Sequence, residues 1–470
     1  MNGDFEAFEF GPMGEWNKAQ FRFQQDEEGG WRLMRNGAFH EELGKGLVPL
    51  EVESCGICAT DLARKNLPFP LPQVLGHEVL ARDSSGCRVV IEINASHRAR
   101  GLDVDCPYCN AQGASSLHRH CPERQVLGID RLPGGFGPKI LAPKNAIFAV
   151  PPQLGAETAV LCEPFAAALH AVDCIKEKHG KRVAVLGLGR LGLQVIAALA
   201  ARRRHSGDEF EILGLGRRKR PMDLALELGA DSVFKVEGEG ENLADGLFEI
   251  VLDTTGNPKA FRTALRIASS EVHLKSTHGL PTAGLRNLTP FVVDELRVQP
   301  YRDTLPSDVR TVVWLAKGHP PSEWKQHCRV VRGEAALTDL MALRAFPGEG
   351  GLYGADLVVV DQSRNLDQVI RPIRGKELSM LRPGGTIYLR ANKEEKSSLY
   401  RAVDDRGISL SSSRCGDFEE ALALLAEDSE LQNLGECLID HHFSPKDLAE
   451  AFAAAASPTC VKAVIRHGSI

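Results

Sequence analysis

The apolar positions of this chain fall into two textures. Up to about Pro152 they come as short runs, such as Arg88-Val-Val-Ile-Glu-Ile93, separated by glycine and proline. That punctuation predicts an irregular, mostly β domain. From Glu157 onward the spacing changes. Thr158–Ile175 carries apolar residues at helical intervals. Arg182–Leu186 then predicts a short, fully buried strand, Leu191–Arg202 a helix and Glu211–Leu213 a second strand. Met222–Gly229 predicts a helix closed by glycine, and Phe248–Asp253 a further strand. Strands alternating with helices predict a parallel, doubly wound sheet. Near the end, Ser444-Pro-Lys-Asp447 predicts a capped helix start running to Ala455, followed by a strand at Val461–Ile465.

One stretch looks repeated. Ile250-Val-Leu-Asp253, Asn257 and Leu265-Arg266 recur 108 residues later as Val358-Val-Val-Asp361, Asn365 and Ile373-Arg374. Each copy continues into a strand pattern, Glu271–Lys275 and Thr386–Arg390, and then a Val-Asp pair, Val293-Asp294 and Val403-Asp404. Two explanations stand open. An α/β unit has been duplicated or inserted, or one βαβ unit simply resembles another.

Composition narrows the classes. A chain of 470 residues suits two or three ordinary domains, and 25% charged with 43% hydrophobic residues excludes a disordered or fibrous protein. A net charge of −6 without a basic block argues against a nucleic-acid partner. Met1–Phe10 lack Lys and Arg, so no secretory leader is expected. The longest apolar stretch, Val183–Ala201, is broken by Arg190 and its glycines, so no membrane span is expected. A cytoplasmic, reducing setting follows. There the twelve cysteines would be filler, metal ligands or nucleophiles rather than disulfides.

Four constellations carry chemistry. Cys55-Gly-Ile-Cys58-Ala-Thr60-Asp61 with Gly76-His77-Glu78 brings thiolate, imidazole and carboxylate together, a set that suits Zn²⁺. Asp61 is placed to accept the His77 N–H from outside the metal shell. Cys106-Pro-Tyr-Cys109 followed by His118-Arg-His120-Cys121 is a weaker zinc pattern. Cys106, Cys109 and Cys121 would supply three ligands of a structural site, and His118 or His120 the fourth. Gly187-Leu-Gly189-Arg190-Leu191-Gly192, directly after a predicted strand and opening a helix, is a dinucleotide fingerprint. At the end of the next strand, where NAD enzymes carry an acid, stand Arg217 and Arg218. Paired cationic donors suit a 2′-phosphate, so NADP(H) is expected over NAD(H). Finally, Glu163 in Cys162-Glu163-Pro164 is either a further metal ligand or an acid at a helix N-terminus.

These motifs resemble the zinc-dependent medium-chain dehydrogenase/reductase family, over about residues 40–300 and 405–470. Gly128-Ile129 with Gly134-Gly-Phe136, and Lys275-Ser-Thr277, look like its threonine, polyol and glucose dehydrogenase branch. The resemblance implies an α/β chain with a GroES-like β-rich catalytic domain (1–165, completed by 433–470) and a doubly wound parallel Rossmann domain (166–432). Residues 301–409 would form an inserted or duplicated α/β unit within the latter. It implies Cys58 and His77 as catalytic zinc ligands, Glu78 and Glu163 at or near the metal, and Thr60 as the hydroxyl that passes the substrate proton outward. The implied activity is hydride transfer between an alcohol, such as a polyol or sugar, and NADP(H), in a homodimer or homotetramer. Three departures stand out. The third cysteine of the family's structural lobe is Gln112 here, the fourth is displaced to Cys121, and the relay histidine position is Ala63. The intact Cys58, His77 and Glu78 set argues against a zinc-independent enone or quinone reductase. The altered lobe and the insert motivate the other rival, a non-catalytic NADPH-binding protein.

Overall fold

The computed structural model describes residues 3–110, 117–175, 179–276, 280–333, 354–370 and 380–468. Gln112 and Thr277 lie outside the described residues. The chain divides into two compact units. The first comprises Met1–Asn110, Ala114–Ala166 and Cys415–Ile470, and the second is essentially Ala167–Arg414. The return to the first unit thus begins at Cys415, upstream of the expected 433.

The first unit opens with a four-stranded antiparallel sheet formed by Phe5–Phe10, Trp16–Gln25, Trp31–Arg35 and Ala38–Gly44. Alternation decides its faces: Ala19, Phe21 and Phe23 point inward while their neighbours are exposed. A seven-stranded sheet follows, with Leu47–Gly56 at its centre. That strand pairs antiparallel with Lys139–Pro143, Glu78–Arg82 and the late strand Lys462–Arg466. One apolar core, running from Phe5 to Ile465, joins both sheets.

The helix expected over Thr158–Ile175 is two, Ala156–Ala159 and Cys162–Cys174. Pro164 has no amide hydrogen to extend a helix across that point, but it fits the first turn of the second one. Ser444 does not cap the last helix. Its carbonyl closes a turn on the Asp447 N–H, and the helix starts later, at Leu448–Ala456.

The second unit is built on one sheet. Its strands are β1 (Arg182–Leu186), β2 (Glu211–Gly216), β3 (Ser232–Lys235), β4 (Phe248–Asp253), β5 (Ala268–Leu274), β6 (Arg297–Pro300), β7 (Thr311–Trp314), β8 (Arg329–Arg332), β9 (Ala355–Val360), β10 (Leu381–Leu389) and β11 (Ser409–Ser412). Among the described residues their order is β3-β2-β1-β4-β5-β11-β6-β10-β9-β7-β8. The first six form a parallel half, and the last five also pair parallel with one another. The halves meet where β11 and β6 run antiparallel. Helix α1 (Arg190–Ser206) follows β1, four residues longer at its end than its apolar spacing predicts, and Gly207 closes it in the left-handed region. No helix among the described residues is long and apolar enough to cross a membrane.

Candidate active site

In the first unit, strand Leu47–Gly56 delivers Cys58 to the N-cap of a one-turn helix, Ala59–Leu62. Asp61 closes this turn by accepting the Cys58 N–H at 2.8 Å. Its other oxygen faces His77 Nδ1 at 3.5 Å, long for a hydrogen bond but directed at the ring. Apart from Asp61, that buried ring nitrogen has no partner among the described residues. The contact sets Asp61 behind the His77 ring, on the Nδ1 side.

His77 sits behind Gly76, whose φ is +97°. A side chain there would also meet Phe136 at 2.7 Å and Cys55 Sγ at 2.8 Å, so the turn requires glycine. The Gly134-Gly-Phe136 segment lies against the same turn through Gly135 N–H to the Gly76 carbonyl and Phe136 N–H to Leu75.

One ligand atom each from Cys58, His77 and Glu78 fall within 4.8 Å of one another. Burial opposes charge on His77, but Asp61 and Cys58 outweigh it and hold the ring well above its usual pKa. A thiol, an imidazole and a carboxylate converging in a buried place fit a zinc ion by donor type and spacing. Cys55 belongs elsewhere: it is fully buried in the core, its thiol pushed up by desolvation. Glu163 stands in the first turn of the Cys162–Cys174 helix and is not one of the three clustered groups. Thr60 is half-buried on the same turn as Asp61.

Motif reading missed Lys462. Its ammonium is ion-paired with Glu78 and donates to the Ile57 carbonyl at 3.2 Å, with both side chains 1% exposed. The signal was a lysine directly before the apolar run Ala463–Ile465.

The second cluster corrects the expected fourth ligand. His97, Cys106, Cys109 and Cys121 bring one ligand atom each within 4.8 Å of one another. Cys106 and Cys121 sulfurs lie 3.9 Å apart, and Cys121 lies 3.6 Å from His97 Nδ1. Neither His118 nor His120 joins them. His118 is turned to Ser96 Oγ at 3.1 Å and toward Glu92 at 3.8 Å. Ser96 caps the short helix His97–Arg100, and that turn aims His97 at the cysteines. The thiols share protons unequally. Contact with Cys121 holds Cys109 down to about 4, and the same contact pushes Cys121 up.

In the second unit, Gly187 (φ +100°) ends β1 and Gly189 caps α1. Arg190, Leu191 and Gly192 form the first helical turn. A Cβ on Gly192 would run into the Gly187 carbonyl and lie 2.9 Å from Thr254 Oγ1. Gly189, by contrast, faces open space. A cavity of about 360 Å³ opens there, lined among others by Gly187, Gly189, Arg217, Arg218, Thr255 and Lys259. A helix N-terminus beside such a cavity suits a pyrophosphate. Arg217 is anchored on the Gly238 carbonyl at 2.8 Å, and Lys259 is paired with Glu239 at 2.8 Å.

A family model for the alcohol dehydrogenase GroES-like domain matches residues 44–152. The L-threonine 3-dehydrogenase of Pectobacterium carotovorum subsp. carotovorum (strain PC1) is 28% identical over 255 residues, 51% of this chain and 71% of that one. The sorbitol dehydrogenase of Bacillus subtilis (strain 168) is 27% identical over 263 residues, 53% and 72%. Among solved structures, a Sinorhizobium meliloti 1021 protein described as a zinc-binding dehydrogenase bound to NADP covers 99% of this chain and 100% of its own, with TM-score 0.54 and 17% identity. Galactitol-1-phosphate dehydrogenase from Escherichia coli covers 95% and 100%, with TM-score 0.52 and 18% identity. At these identities the structural likeness speaks for the fold.

Proposed function

We propose that the chain, whose residues 44–152 match the alcohol dehydrogenase GroES-like domain, is a zinc-dependent medium-chain dehydrogenase/reductase that oxidises an alcohol, such as a polyol or sugar, to a carbonyl, reversibly and with NADP(H). The observation that carries this reading is the convergence of Cys58, His77 and Glu78 within 4.8 Å in a buried place. Cys58 and His77 would hold zinc, with Glu78 at or near it and Glu163 a further candidate. Zinc bound there supplies Lewis acidity at the substrate oxygen.

The chain's own residues do the rest. Asp61 keeps the His77 ring oriented. Lys462 holds Glu78 in its buried position. Thr60 offers the hydroxyl that takes the substrate proton, and water or the cofactor ribose carries that proton onward because Ala63 cannot relay it. The glycine turn at 187–192 receives the pyrophosphate, and Arg217 and Arg218 receive the 2′-phosphate. The His97, Cys106, Cys109 and Cys121 cluster would hold a second, closed zinc whose role is to pin its lobe.

The test pairs bound-zinc analysis with NADP(H)-dependent turnover. Cys58→Ala should lose activity while still binding cofactor. Unchanged activity would sink the assignment.

A further inference from the structure

The repeat seen in the sequence has a counterpart in the sheet. Read from β2 inward, the first half is ordered β2-β1-β4-β5-β11. Read from β8 inward, the second is β8-β7-β9-β10-β6. With β3 left aside at the first half's outer edge, β1 lies between β2 and the pair β4-β5, as β7 lies between β8 and the pair β9-β10. In both, the pairing slips register near the start of the third strand in these orders, between Phe248 and Ile250 in β4 and between Ala355 and Leu357 in β9. The sequence copies fall on these same strands, since Ile250–Asp253 is in β4 and Val358–Val360 in β9. The chain leaves the first half after β5 to form β6 in the second. It leaves the second after β10 to form β11 in the first.

The second half lacks the glycine turn that the first carries at 187–192. Leu315-Ala-Lys-Gly318 follows β7 in place of the glycine fingerprint. The only helix between β7 and β8 is the four-residue Trp324–His327. Trp314, Trp324 and Tyr388 pack together with Tyr301 on that face, ring centroids 5.9–6.3 Å apart. Two amides, one after β7 and one after β9, are taken by the chain's own carboxylates. Lys317 N–H donates to Asp361 at 2.8 Å, and Ser363 N–H, at the start of a helix running to Ile370, donates to Glu395 at 2.8 Å. Arg390 closes the gap further, on the Lys317 carbonyl at 2.7 Å and over the Trp314 ring.

We infer that residues 297–412 contain a second copy of the cofactor fold's sheet half, joined to the first by exchange of β6 and β11, which serves as a built-in sheet partner and not as a second cofactor site. An open strand edge invites another chain. Here β11 is covered from within the same chain, and one apolar core containing Val298 and Leu410 runs through both halves.

The test is a cross-link in the full chain. Val298 and Leu410 are opposed in the antiparallel pair, and such residues lie about 4.5–5.5 Å apart at Cβ. Oxidised Val298→Cys/Leu410→Cys should run as a single, cross-linked chain. A covalent dimer, or no cross-link in a variant that still binds cofactor, would overturn the inference. Both positions are buried, so hydrogen exchange on the unaltered chain gives a second reading. Protection of 296–300 and 408–412 should not change with protein concentration, and protection lost on dilution would overturn it. NADPH should bind at no more than one equivalent per chain; a second equivalent contradicts the closed crevice.

Discussion

Lys462 and Glu78, separated by 384 positions in the chain, form a buried ion pair at the edge of the candidate metal centre. The strand Lys462–Arg466, late in the chain, therefore lies against residues from its start within the same compact unit. Removing one partner of such a pair leaves an uncompensated charge, at a cost of about 3–5 kcal/mol, whereas replacing both with neutral groups costs less. Lys462→Met should thus lower the unfolding midpoint sharply, and adding Glu78→Gln should recover part of that loss. A double-mutant cycle by denaturant titration checks this. Additive losses would mean the two residues are uncoupled.

The cationic wall of the cofactor cavity predicts a change of preference. A hydrogen bond to a charged group contributes about 1.5–3 kcal/mol. Arg217→Ala should therefore raise KM for NADP⁺ by roughly ten- to a hundredfold and leave that for NAD⁺ nearly unchanged. Steady-state kinetics with the two cofactors side by side decide it.

His97 predicts a metal count. Wild-type protein should carry two zinc ions per chain, and His97→Ala one. His97→Cys should restore the second, since thiolate is an equally good ligand. Metal analysis of the three proteins reads this directly, and unchanged zinc in His97→Ala would remove His97 from the site.

His170 predicts a pH dependence. Burial disfavours its charge, but Cys174 and Glu295, the latter 3.0 Å away, raise its pKa to about 9. A histidine raised on folding stabilises the protein fully below its unfolded pKa, near 6.5, and that contribution fades as pH rises through about 9. The stability gap between wild type and His170→Gln should then be widest near pH 6 and shrink toward pH 10. A gap constant across that range would contradict the pairing.

Local chemistry made much of this legible. The fingerprint at 187–192, the Cys58 and His77 turns and the alternating strands each announce themselves within a few residues, because backbone geometry and ligand type act locally. What escaped depends on distance. Lys462 reaches Glu78 only once the final strand is placed. His97 lies nine residues before Cys106, outside the knuckle spacing, and is aimed by the Ser96 cap. The exchange of β6 and β11 leaves no mark in hydrophobic periodicity, since each strand has the same pattern in either half. The similarity of 250–266 to 358–374 is visible in the sequence, but the place of the strands β4 and β9 in the sheet is not.

The central claim is NADP(H)-dependent oxidation of a hydroxyl at the Cys58, His77 and Glu78 centre. It is tested most directly by following cofactor reduction over a panel of polyols, sugars and simple alcohols, with NADP⁺ and NAD⁺ in parallel, in zinc-loaded and chelator-treated protein. Turnover of at least one alcohol, faster with NADP⁺ and lost with the metal, is the expected result. Tight NADPH binding with no turnover of any alcohol or carbonyl in the zinc-loaded protein would contradict it.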